Sequence, residues 1–218
     1  MSDYPIRIKG DVVVCAPADP RRLSTAVLLE QEDWFEKEIG FLRRWLRPGM
    51  RAIDIGANIG VYTLTIAQRV GREGAVWAFE PTPAPATSLM QSIARNGFDQ
   101  VTVVQRALSD QEGRATFHTG DQSELNSLVH SVDATEMLSV EVSTLDHEQE
   151  RLGWKSIDFV KIDAEGVCAH SRGWETILRA ALATHHVRGK RLAIGDRALG
   201  SSCDVSRDGF RDLSPHRP

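Results

Sequence analysis

The sequence predicts an α/β fold, a Rossmann-like parallel sheet flanked by helices. Three stretches carry that reading. Residues 51–60, RAIDIGANIG, read as a strand, a carboxylate, a glycine-rich turn and the start of a helix. Residues 75–80, AVWAFE, are an apolar run ending in an acid, the pattern of a strand buried on both faces. Residues 157–166, IDFVKIDAEG, are another such run, ending in two acids and a glycine. Apolar strands alternating with helical segments imply parallel pairing through right-handed crossovers.

At 218 residues the chain suits one domain of ordinary size plus extensions, and 41% hydrophobic content is enough for its core. It has no run of 18 apolar residues, so no membrane span is expected. The first residues lack the basic-then-apolar pattern of a secretory leader. Cys15, Cys168 and Cys203 are scattered, with no C-x-x-C pair. That argues against a disulfide framework or a zinc site and makes the cytoplasm the expected compartment. Residues 1–166 carry 17 basic and 25 acidic side chains, and residues 167–218 carry 9 and 5. An acidic body of this kind argues against a nucleic-acid partner.

Residues 1–31 read as an N-terminal extension. Ile6-Arg7-Ile8-Lys9 alternates and residues 12–14 are β-branched, which predicts a short hairpin, interrupted by Pro17 and Pro20. Residues 32–46 read as a helix, with Trp34, Phe35, Ile39, Leu42, Trp45 and Leu46 at helical spacing and a stop at Pro48-Gly49. Its aromatic residues are expected in the core, and Glu36 and Glu38 on a solvated face, with a reach to the ligand from this helix as the alternative. Next come a strand at 53–55, a helix at 60–70, a turn at Gly71 and Gly74, and the strand at 75–80. Pro81 and Pro83 stop that strand. A helix at 85–96 is closed by Asn96-Gly97. Residues 101–108, VTVVQRAL, read as one strand, and 113–117 and 140–145 as two more. The polar stretch 121–136 is long enough for a lid or substrate loop.

The turn Gly56-Ala57-Asn58-Ile59-Gly60 has the wrong spacing for the dinucleotide fingerprint, and no lysine follows it to make a phosphate loop. Gly56 and Gly60 permit a tight turn and close ligand approach, and Asn58 can bond within the turn. The amides of the helix start favour a carboxylate. D-x-G-x-N-x-G resembles the first motif of class I S-adenosylmethionine-dependent methyltransferases. In that reading Asp54 suits the ligand's cations. A structural corner with no ligand is the alternative. Glu80 falls at the carboxyl end of the neighbouring strand, where open α/β sheets bind ligands. An acid there can accept both ribose hydroxyls and would repel a 2′-phosphate. The alternative is a surface or helix-capping glutamate. The Ala107–Asp110 stretch, ending the next strand, falls where an adenine ring would lie, with Asp110 as an acceptor for its amine. Asp163 and Glu165 face the same crevice.

Six segments occur in order: AIDIGANIGVYTLTIA (52–67), VWAFEPTP (76–83), ALSDQEG (107–113), NSL (126–128), VEVSTLD (140–146) and DFVKIDAEG (158–166). Together they resemble the FkbM family of methyltransferases over about residues 32–166. The resemblance implies a class I methyltransferase fold and methylation of a hydroxyl oxygen on a sugar or polyketide-type natural product. It places S-adenosylmethionine on Asp54, Gly56, Asn58, Gly60 and Glu80. It puts Asp163 and Glu165 near the methyl group, and Asn126 and Ser127 at the substrate. A small-molecule acceptor is implied, with no nucleic acid, no membrane and no metal.

Methyl transfer from a sulfonium needs an aligned acceptor oxygen and a group to take its proton. Asp163 and Glu165 are the candidate bases, unless one of them binds the cofactor's ammonium. His118, His130 and His147 read as surface or hydrogen-bonded side chains. The D-x-E pair lacks a third ligand for a divalent cation. The resemblance stops at Gly166. Beyond it lies an atypical basic tail, 167–218, with one helix candidate at 174–182 and no convincing strand pair. The sheet is therefore expected to lack its last strands, and the tail to be disordered. A reading-frame change in GC-rich coding DNA produces such a composition. A catalytically inactive, cofactor-binding remnant is the alternative function. An NAD-dependent oxidoreductase is disfavoured by the missing G-x-G-x-x-G.

Overall fold

The structure is a computed structural model and describes residues 3–119 and 136–163. It opens with the expected hairpin, β1 (Asp3–Ile8) against β2 (Val12–Pro17), in antiparallel register from Asp3↔Pro17 to Ile8↔Val12. The connecting turn takes positive φ at Gly10 and Asp11, 90° and 62°. The inward residues Ile6, Ile8, Val12 and Val14 share a core with Leu28, Ile39, Ile59, Val61 and Leu64.

Helix α1 (Leu23–Gln31) has no counterpart in the sequence reading, because its apolar residues cluster rather than recur every three or four positions. Helix α2 (Lys37–Trp45) begins five residues later than expected. Glu32 adopts the left-handed conformation, and its N–H bonds Leu28 O, so it ends α1 and cannot open α2.

The central sheet contains β3 (Arg51–Ile55), β4 (Ala75–Phe79), β5 (Val101–Val104) and β9 (Phe159–Ile162). All are parallel, in the order β5-β4-β3-β9. Between β3 and β4 runs α3 (Val61–Val70), and between β4 and β5 runs α4 (Pro83–Asn96). Alternation along the strands sorts the core into two faces. Ala52, Val76 and Phe159 pack against Leu42 and Leu46 of the α2 segment and Ile66, Ala67 and Val70 of α3. Ile53, Ile55, Phe79, Val160 and Ile162 pack on the other face with Leu145, Trp154 and Ile157. Helix α4 also secures the hairpin. Asn96 and Ser92 side chains accept the backbone N–H of Val13 and Cys15 at 2.9 and 2.8 Å, which satisfies the free edge of β2.

The expected single strand at 101–108 is two. β5 pairs with β4, whereas β6 (Ala107–Leu108) pairs with β8 (Glu136–Ser143), which also carries β7 (Gly113–Thr119). The break falls at Gln105-Arg106, where Arg106 is drawn to Glu148 and Glu141 at 2.8 and 3.0 Å. β8 ends at Ser143 because Thr144 caps α5 (Leu145–Leu152), its hydroxyl accepting the His147 N–H. Among the described residues no helix is long and apolar enough to cross a membrane. The stretch 120–135, the helix candidate at 174–182, the tail and any missing last strands lie outside the described residues.

Candidate cofactor site

The site begins where β3 ends. Gly56, Asn58 and Gly60 take positive φ of 75°, 50° and 98°, which turns the chain sharply into α3. The turn is bonded internally. Gly56 and Ala57 donate to Phe79 O at 3.0 Å, Asn58 N to Glu80 Oε2 at 2.8 Å, and Gly60 N to Ala57 O at 2.9 Å. Ile59 N donates to the Asn58 side chain at 2.8 Å. The first helical bond runs from Leu64 to Gly60, so the amides of Val61, Tyr62 and Thr63 precede it as the helix's open first turn. Gly60 also serves packing: a Cβ there would sit 2.4 Å from Leu89 Cδ1.

Glu80 follows β4 directly. Its Oε1 accepts both the backbone N–H of Thr82, at 3.0 Å, and the Thr82 hydroxyl, and its Oε2 accepts Asn58. Burial raises its pKa, against the pull of those hydrogen bonds and of Lys161. The expected bidentate grip on two ribose hydroxyls is therefore reduced. A carboxylate oxygen accepts about two hydrogen bonds, so the remaining capacity is on Oε2.

Asp54 and Asp110 depart from their expected places. Asp54 is fully buried behind the cavity wall. Thr63 Oγ1 donates to its Oδ2 at 2.6 Å, and Lys161 Nζ lies 3.1 Å from its Oδ1. Its charge is thus met by Lys161 within the protein. Asp110 sits on an exposed turn, accepting from Ser109 Oγ at 3.1 Å, and does not line the cavity.

One cavity at the carboxyl ends of β3, β4 and β9 is lined by Gly56, Asn58, Gly60, Glu80, Ala107 and Asp163. Asp163 is anchored by its N–H to Ile55 O at 2.9 Å, and its side chain is 34% exposed, so solvent or substrate can reach it. The same wall includes residues read otherwise or not at all. Glu36, expected on a solvated face, accepts from Trp34 Nε1 at 3.0 Å and from the Tyr62 hydroxyl. Trp34, Tyr62, Arg106 and Lys161 complete that side. For Lys161 the signal was a lysine inside a buried strand, a placement that almost always means a paired charge. Glu165, Asn126 and Ser127 lie outside the described residues. Among the described residues no group of three His, Cys, Asp or Glu side chains could hold a metal.

The sequence matches the FkbM methyltransferase domain over residues 54–167, a span that runs from Asp54 through the glycine turn, Glu80, Lys161 and Asp163. The chain belongs to the FkbM methyltransferase family. It is an S-adenosylmethionine-dependent methyltransferase. No curated protein matches it significantly. Among solved structures it is similar to an rRNA methylase from Streptococcus thermophilus, at 15% identity over 74% of this chain and 70% of that one, with a TM-score of 0.44. It is also similar to cofactor-bound Rv0187 from MTB, at 18% identity over 74% of this chain and 56% of that one, with a TM-score of 0.46. The family assignment rests on the domain match.

Proposed function

We propose that this FkbM-family protein methylates a hydroxyl oxygen of a small-molecule acceptor, a sugar or a natural product. The observation that carries the reading is convergence. The glycine turn, Glu80 and Asp163 come from three different strand ends and line one cavity.

The residues suit S-adenosylmethionine. Its ammonium and sulfonium match a wall carrying the Glu36, Glu80 and Asp163 carboxylates. The open amides of Val61, Tyr62 and Thr63 suit its carboxylate. Glu80 Oε2 accepts a ribose hydroxyl, Gly56, Asn58 and Gly60 shape the turn, and Ala107 borders the base. Asp54 acts from behind, through Lys161. When bound, the cofactor supplies an electrophilic methyl. Asp163 would take the proton of the acceptor hydroxyl, with the acceptor oxygen held in line with the methyl and with the sulfur that departs as a neutral thioether. The family resemblance assigns Glu165 to the methyl group and Asn126 and Ser127 to the acceptor. The acidic body favours an uncharged small acceptor over a polyanion. A cytoplasmic location follows from the scattered cysteines.

The test has two stages. Calorimetry should show S-adenosylmethionine binding to wild type and binding weakened about tenfold or more in Glu80→Ala. Transfer of labelled methyl to a panel of sugar and polyketide alcohols should then exceed transfer to ribosomal RNA. Label on the RNA alone would overturn the acceptor class. Undiminished binding in Glu80→Ala would overturn the site.

A further inference from the structure

We infer that Lys161 is a positioning residue: its buried ammonium ties the end of β3, the glycine turn and Asp163 into one charged unit and so sets how tightly the turn holds the cofactor. This rests on the reading of the cavity as the cofactor site. Four contacts carry it. Lys161 Nζ lies 3.1 Å from Asp54 Oδ1 and 3.7 Å from Asp163 Oδ2. It donates to Gly56 O at 3.1 Å. It also stands 4.7 Å from the centre of the Tyr62 ring, a cation–π contact.

The placement follows from register. Asp54 and Lys161 are partners across the parallel pair β3–β9, so both side chains stand on the face covered by α3. Burial works against the ammonium, and the Asp54 and Asp163 charges outweigh it and keep it protonated. Among these contacts the Gly56 carbonyl matters most for binding. Gly56 begins the turn, and a charged donor on its oxygen holds that peptide plane. Asp163 is the acid of the unit that lines the cavity, at 34% exposure.

Removing the ammonium leaves an excess of acid. The groups facing it are Asp54 from β3, Asp163 after β9, Glu36 before α2, Tyr62 of α3 and Glu80 after β4. Asp54, fully buried, then faces the other acids without its cation, and cofactor binding in the variant becomes sensitive to the protonation of this acid cluster as a whole.

The test uses S-adenosylhomocysteine as probe, titrated calorimetrically from about pH 6 to 8 in buffers of different ionisation enthalpy. Lys161→Met should weaken binding about tenfold or more and acquire a pH dependence and proton uptake that wild type lacks. Asp54→Asn/Lys161→Met removes both members of the buried pair together, so it should fold even where the single variant does not. It should stay weakened but lose the added pH dependence. A cooperative melt certifies each variant. Wild-type affinity and pH profile in a folded variant would overturn this inference alone. No binding by wild type would overturn the cofactor reading and this inference together.

Discussion

Glu80 Oε2 accepts the backbone N–H of Asn58 at 2.8 Å, so the acid after β4 holds the turn after β3. The same carboxylate takes both donors of Thr82. Glu80 is thus a structural clamp as well as a ligand group. Glu80→Ala strands two buried donors and one half-buried one, and should cost about 2–4 kcal/mol of stability. Its melting temperature should fall together with its cofactor affinity. Lost affinity without any loss of stability would show that the clamp contributes nothing to the fold.

Gly60 combines a φ of 98° with a Cβ position 2.4 Å from Leu89 Cδ1, and Leu89 is fully buried. Gly60→Ala should therefore cost about 2–4 kcal/mol, part backbone strain and part overpacking. Leu89→Ala removes only the second part. In denaturant melts the double variant should cost about 1 kcal/mol less than the sum of the singles.

Two buried glutamates should give stability opposite pH slopes. Burial raises the Glu80 pKa above its unfolded value, so its contribution is full below about pH 4.3 and is lost as pH rises through the folded value. For Glu148 burial also raises the pKa, but hydrogen bonds from Arg151 and Arg106 outweigh it and hold the carboxyl low. Its contribution is full above about pH 4.3 and is lost as pH falls through the folded value. The two arginines are partly solvated, at 41% and 30% exposure, which limits Glu148→Gln to about 1–2 kcal/mol at neutral pH. Melts across the acid range should show the deficit of Glu148→Gln growing with pH and that of Glu80→Gln shrinking.

The Tyr62 hydroxyl donates to Glu36, and burial together with that carboxylate pushes the phenol well above its ordinary range. In an alkaline absorbance titration one tyrosine should ionise only when the protein unfolds. Tyr62→Phe should abolish that step at a cost of about 1 kcal/mol. A free titration of both tyrosines below the unfolding pH would contradict the pairing.

Much of the site is legible in local chemistry. Gly56, Asn58 and Gly60 stand out because only such residues tolerate consecutive positive-φ turns. Glu80 and Asp163 stand out because an acid closing an apolar run marks the carboxyl end of a buried strand. Glu36 takes the alternative place at the cavity wall because α2 starts only at Lys37, Glu32 ending α1 in a left-handed conformation. The strand at 101–108 was read as continuous because its apolar pattern does not reveal that Arg106 turns toward Glu148.

The sequence by itself determined the strand–turn–helix units and the parallel sheet they imply, since each unit depends on residues within a few positions of one another, and it determined the family through the order of six such local segments. Only the tertiary structure decided that β9 lies beside β3 and brings Lys161 against Asp54 across more than a hundred residues. A buried charge is stabilised by whichever opposite charge lies within a few ångströms, and strand order, not spacing along the chain, sets that distance.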